Sequence, residues 1–180
     1  LWFHEAKWLD FNLFQSGHRR YDQTELGAWD DNAAAEGCFG EDCWRYVERD
    51  YGKKPAKPVL DGEPSYEWVV QGLHDKKQPY WKAADVRRYA YWNVFAGAAG
   101  HTYGHNSIMQ FYDNLSEEGA FGARYLWSDA VHHPGGAQMI HLKRLMQSVD
   151  FTHGRPAEDY LLEEQGEKYD YISVFAGEEF

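Results

Sequence analysis

The chain has 180 residues, 43% hydrophobic and 17% aromatic, which is ample for one packed core. Eighteen basic against 29 acidic residues give a formal charge of −11. Such a surface repels phosphate backbones, so no nucleic-acid partner is expected, and with no run near the roughly 18 apolar residues of a membrane span, none is expected either.

In chain order, "WLDFNLFQSGH" (8–18) reads as a short buried strand closed by Ser-Gly. Residues 22–42 are small and polar and read as a long loop. Cys38 and Cys43 are spaced for a small disulfide loop in an oxidising compartment or for two thiols in a reducing one, and without a second pair or a flanking His they do not suggest zinc. "EDCWRYVERDYGK" (41–53) predicts a helix with Trp44, Val47 and Tyr51 on one face and Gly52 at its end. A strand over 58–63 and a Pro/Gly-punctuated loop to about residue 82 follow. "AADVRRYAYWNVFAGAAG" (83–100) predicts the longest helix, with Val86, Ala90, Val94 and Ala98 recurring every fourth residue. "GHTYG" (100–104) is a very short strand in which His101 and Tyr103 share a side. Helices are expected near 122–132 and over 136–149, the latter striped by Met139, Leu142, Leu145 and Met146. Residues 150–156 read as a linker, and a strand is expected near 168–175.

Strand and helix alternate three times, which predicts an α/β fold with parallel strands and helices outside. No glycine fingerprint for a dinucleotide follows any strand, and no cofactor is expected. The alternation fits either a doubly wound sheet, which the missing fingerprint weakens, or part of a (β/α)8 barrel. A whole barrel takes about 250 residues, so that reading requires an upstream half of the same barrel. Three strand-helix units leave two open sheet edges, so the chain alone is expected to aggregate or to associate through them.

The strand ends carry Gln15 with His18, Asp61 with Glu63, and His101 with Tyr103. In a barrel such ends share one mouth, where the chemistry of these folds is kept. Glycoside hydrolysis needs one carboxylate at the anomeric carbon and a second carboxyl to protonate the leaving oxygen. Glu63 suits the first task, and no partner for it stands out. Asp61 and Glu67 are too near in sequence to face it across a sugar, although either could tune its pKa. Tyr66 and Trp92 are candidate stacking faces, though a large aromatic is a core residue first. His101 and His105 have the H-x-x-x-H spacing of metal ligands, but a strand end interrupts it and no metal is expected.

"FNLFQSGHRRYD", "WRYVERDYGKKPAKPVLDGEPSYE", "GLHD", "DVRRYAYWNVFAGAAGHTYGHNSIMQFY" and "PGGAQMIHLKRLM" together resemble glycoside hydrolase family 140 over about residues 1–165. These are apiosidase-like enzymes whose barrel is followed by a small β-domain of collagen-binding type. The resemblance implies the C-terminal part of a TIM barrel, about strands 6 to 8, incomplete at its N-terminus, with residues 1–150 as barrel and 151–180 as linker and first strand of the β-domain. It implies Glu63 as nucleophile on the seventh strand and an acid/base Asp, in a Gly-Gly-Asp motif on the fourth, outside this chain. Gln15, His18, Asp61, Tyr66, Glu67, Trp92, His101 and Tyr103 would then bind substrate, with Gln15, His18, His101 and Tyr103 also orienting Glu63. The implied substrate is pectic oligo- or polysaccharide bearing terminal apiose, and the implied location is secreted or periplasmic. A non-catalytic carbohydrate- or collagen-binding module is the alternative.

Overall fold

The computed structural model describes residues 3–23 and 39–178. Three parallel strands, β1 (Asn12–Phe14), β2 (Val59–Asp61) and β3 (Gly100–His101), lie in that order, with Leu13 opposite Leu60, Phe14 opposite Asp61, and Asp61 opposite His101. Helices α1 (Cys43–Tyr51) and α2 (Ala83–Phe95) connect them, and α5 (Pro134–Gln147) follows β3 after the short helices α3 (Asn106–Met109) and α4 (Trp127–Ala130). The alternation predicted from sequence is therefore present as a parallel sheet with helices on one side.

Period-two alternation decides what each strand contributes. Phe14 and Val59 point at the helices and pack with Tyr46, Val47, Ala96 and Ala98. Leu13 points the other way and is 53% exposed. The stripe predicted for the long helix is buried throughout, and its Ala90 and Val94 meet Leu142 and Met146 of α5. Leu145, expected in the α5 stripe, is exposed.

Several elements are shorter than the sequence suggests. The strand read over 8–18 pairs only at 12–14, because only those backbone groups face β2. The long helix stops at Phe95, where the chain turns toward Gly97 at φ 102°. The helix expected near 122–132 is only α4, preceded by a 3₁₀ turn over Ala120–Gly122 in which Phe121 is left-handed at φ 52°. The α5 helix begins two residues earlier than expected, with Pro134 in its first turn, where a missing N–H costs nothing. Near 168–175 the chain forms a 3₁₀ turn, Lys168–Asp170, and only then β5 (Phe175–Ala176), which pairs antiparallel with β4 (Arg155–Pro156).

Residues 151–178 lie on the helices. Tyr171 stacks on Trp44 at 4.0 Å and meets Trp92 edge-on, joining a cluster with Cys43, Val69, Trp81 and Tyr89. Tyr169 donates to Glu41 at 2.8 Å, and Glu41 also pairs with Arg88 at 3.0 Å. Cys43 is a buried free thiol whose pKa burial pushes well up, while Cys38 and most of the 22–42 loop lie outside the described residues. No helix is long and apolar enough to cross a membrane among the described residues.

Candidate active site

The loops after β1, β2 and β3 meet at the C-terminal ends of the strands. Gly17 crosses the turn that follows Glu63, and its N–H donates to the Glu63 carbonyl at 3.0 Å. A Cβ on Gly17 would sit 2.4 Å from the Pro64 carbonyl carbon, so only glycine lets the two loops touch. The next residue, His18, is held at φ 130°, a region that L-residues rarely adopt. Its buried imidazole places Nε2 3.3 Å from Oε1 of Glu63, whose side chain is 41% exposed. Tyr66 meets the His18 ring edge-on at 5.3 Å. A carboxylate held from one side and open to solvent on the other can attack or stabilise a bound electrophile.

Beneath it, Asp61 is fully buried. It accepts from the Ser16 hydroxyl in a very short contact, from Ser16 N at 3.3 Å, from Glu63 N at 3.2 Å and from Asn93 Nδ2 at 2.9 Å. Burial raises its pKa to about 6 despite those donors. No lone pair or open surface remains for a ligand. Asn93 Nδ2 also lies 3.3 Å from Nδ1 of His101, and burial lowers that imidazole to about 4, leaving it neutral. His101 faces the helix side of the sheet, where it lines a cavity of about 670 Å³ with Val94, Met139 and Leu142. The sequence placed Tyr103 on the same side as His101, but Tyr103 turns instead to Glu67.

Glu67 is 1% exposed and accepts from the Tyr103 hydroxyl at 2.7 Å. Its carboxylate lies against the first turn of α5, so close that a Cβ on Gly135 would be 2.1 Å from Oε2. A negative charge suits that end of a 14-residue helix. Glu67 is thus a buried anchor for Tyr103. Trp92 is 5% exposed with Tyr89 and Tyr171 edge-on to it, which leaves no face for a sugar. Gln15 is exposed, and no described hydrogen bond holds it to Glu63.

His105 accepts from Ser107 N at its Nδ1, so Nε2 carries the proton and donates to Nδ1 of His133 at 2.9 Å. Burial, with His133 beside it, lowers the His105 pKa to about 4. His101 and His105 therefore serve different partners. No cluster of three His, Cys, Asp or Glu suited to a metal occurs among the described residues.

Sequence reasoning missed a cationic rim. Trp68, left-handed at φ 62°, packs against Tyr125 and His133. Lys82 Nζ lies 3.1 Å from the centre of the Trp68 ring, and the Arg124 guanidinium lies 4.1 Å over Tyr80. Neither makes an ion pair with a described carboxylate. Partial burial, then repulsion by Arg124, lowers the Lys82 pKa.

Against known proteins, the sequence matches the family described as "Apiosidase-like, catalytic domain" over residues 1–153. Among solved structures, one named "Glycoside hydrolase" is similar at 51% identity and a TM-score of 0.88, over 98% of this chain and 39% of that one. A second, a glycoside hydrolase family 5 protein from Bacteroides vulgatus, is similar at 46% identity and a TM-score of 0.87, over 98% of this chain and 37% of that one. The chain thus spans under two fifths of the length of either relative. No curated protein matches it. With the family model covering most of its length, the chain belongs to the apiosidase-like glycoside hydrolases.

Proposed function

We propose that this chain is the nucleophile-bearing part of a retaining glycosidase that acts on pectic polysaccharide and releases terminal apiose. Its three parallel strands are the sixth, seventh and eighth of a (β/α)8 barrel, within family 140. The preceding strands supply the acid/base Asp and cover the exposed face around Leu13. Residues from about 156 onward begin a β-domain of collagen-binding type, and the protein works outside the cell or in the periplasm, where its polymeric substrate lies.

The observation that carries this reading is Glu63 itself. It stands at the end of the central strand, solvent-accessible, with His18 directed at its carboxylate from the neighbouring strand end. In the first step Glu63 attacks the anomeric carbon and forms a glycosyl ester. The glycosidic bond breaks, and the acid/base Asp gives its proton to the leaving oxygen. In the second step that residue, now a carboxylate, takes a proton from water, and the water oxygen displaces Glu63 from the sugar. His18 fixes the direction of attack, and Tyr66 closes the pocket beside it. An acidic substrate is supported by Lys82 and Arg124, two adjacent cations on the rim of a strongly acidic protein.

The test is Glu63→Gln in the full-length protein, assayed on an apiose-bearing pectic oligosaccharide. The amide keeps a hydrogen bond to His18 but cannot form the ester. Turnover should fall about 10³-fold or more with the unfolding midpoint unchanged. Near-normal turnover would refute the assignment.

A further inference from the structure

We infer that Asp61 is a positioning residue that locks the His18 loop to the Glu63 loop, and thereby sets the line along which Glu63 attacks. The inference rests on the reading of Glu63 as the nucleophile. It replaces the expectation that Asp61 touches sugar, because a side chain with no exposed surface and four donors already on it reaches none.

The geometry divides cleanly between the two carboxylate oxygens. Oδ1 accepts from Ser16 N and Glu63 N, one backbone group from each loop. Oδ2 accepts from the Ser16 hydroxyl and from Asn93 on α2. Ser16 lies two residues before His18, and the Glu63 N–H belongs to the nucleophile. One buried carboxylate therefore grips both halves of the His18–Glu63 pair and ties them to a helix. The Gly17 N–H bond to the Glu63 carbonyl and the Gly62 N–H bond to the Phe14 carbonyl, at 2.9 Å, close the same seam, but they leave the direction of the two side chains free. His18 stays in its left-handed conformation because the chain is held on both sides, by Ser16 before it and by the Gly72 N–H on its own carbonyl at 2.7 Å.

Asn93 contributes a second constraint. A single Asn in the apolar half of α2, with no exposure, would be costly without partners, and Asp61 and His101 are those partners. The titratable groups around Asp61 are Cys43 on α1, His101 on β3, and Glu63 and Tyr66 beyond β2.

The experiment compares Asp61→Ala, Asp61→Asn and Ser16→Ala in the full-length protein. It reads kcat and KM on the apiose-bearing pectic oligosaccharide, and the ¹⁵N shift of His18 Nε2, which reports its bond to Glu63. Asp61→Ala should lower kcat about 100-fold with KM within about threefold, the cost of a misplacement of roughly 1 Å. It should also move the His18 signal. Asp61→Asn, which can still accept both backbone N–H groups, should recover kcat to within about tenfold of wild type. Ser16→Ala should fall between them. Should Asp61→Ala fail to fold, the Asn and Ser16 variants decide. An unmoved His18 signal, or equal kcat losses in the Asn and Ala variants, would overturn the inference. Should Glu63→Gln remain active, the nucleophile reading fails, and the His18 signal alone then decides whether Asp61 holds the pair.

Discussion

The helix side of the β1–β2–β3 sheet and its strand-end rim are built on different terms. On the helix side Phe14, Val59, Trp92 and Tyr171 are buried among partners that all come from this chain. Even its polar members are held within it, with Asn93 Nδ2 donating to Asp61. At the rim, Glu63, Lys82 and Arg124 stay open, and two residues, His18 and Trp68, hold backbone conformations that cost energy. The packed side stores stability, and the rim spends some of it on placement. Substitutions of the apolar residues on the packed side should therefore move the unfolding free energy, whereas those at the rim, and at Asp61 beneath it, should move kinetic constants.

The largest effect is expected from Trp92→Ala on the packed side, at about 3–5 kcal/mol of stability, read by urea unfolding. A loss below about 1 kcal/mol would mean that the ring is not the core residue described here. Next comes the pH dependence set by Asp61. Its pKa is raised to about 6, so over the window from roughly pH 4 to pH 6 the folded chain keeps a proton that the unfolded chain has lost. Stability should fall as pH rises through that window, by on the order of 3 kcal/mol, and that part of the slope should vanish in Asp61→Asn.

At the rim, His18→Ala should lower kcat about 100-fold, with a smaller shift in unfolding midpoint than Trp92→Ala causes. Replacing Lys82 and Arg124 together by Gln should raise KM for an acidic oligosaccharide about tenfold and leave the unfolding midpoint in place. The same pair of changes should have little effect on a carboxyl-reduced version of the substrate. Smallest of all, Leu13→Ser should change the stability of the 180-residue chain by less than about 0.5 kcal/mol, since the side chain is already exposed. In the full-length protein it should cost about 2 kcal/mol if the preceding strands cover that face.

The packed side was the more legible in sequence. The fourfold spacing of Val86, Ala90 and Val94 announced a buried helix because the periodicity of a helix is local, whereas Ala98 is buried beyond the helix end. Strand lengths were not legible, because pairing depends on which backbone groups meet a neighbour about 45 residues away. The helix α3 escaped notice since its cap is the ring of His105, an uncommon capping side chain. At the site, Glu63 and His18 were singled out by their positions at strand ends, and they lie 3.3 Å apart. Asn93 carried a signal that went unread, one amide in an apolar stretch, "AYWNVF". Glu67 was read as binding substrate but lies buried against α5, and the Pro-Gly-Gly that opens that helix hints at the close approach its carboxylate makes. The Lys82–Trp68 and Arg124–Tyr80 contacts join loops distant in sequence, and nothing local marks them.

The most direct measurement is covalent trapping. The full-length protein would be mixed with a fluorinated glycoside of the substrate sugar, quenched in acid, digested and read by mass spectrometry. A single glycosyl mass on the side chain of Glu63 is the predicted result. A label on another residue, or product released with inverted anomeric configuration and no label at all, would contradict the account.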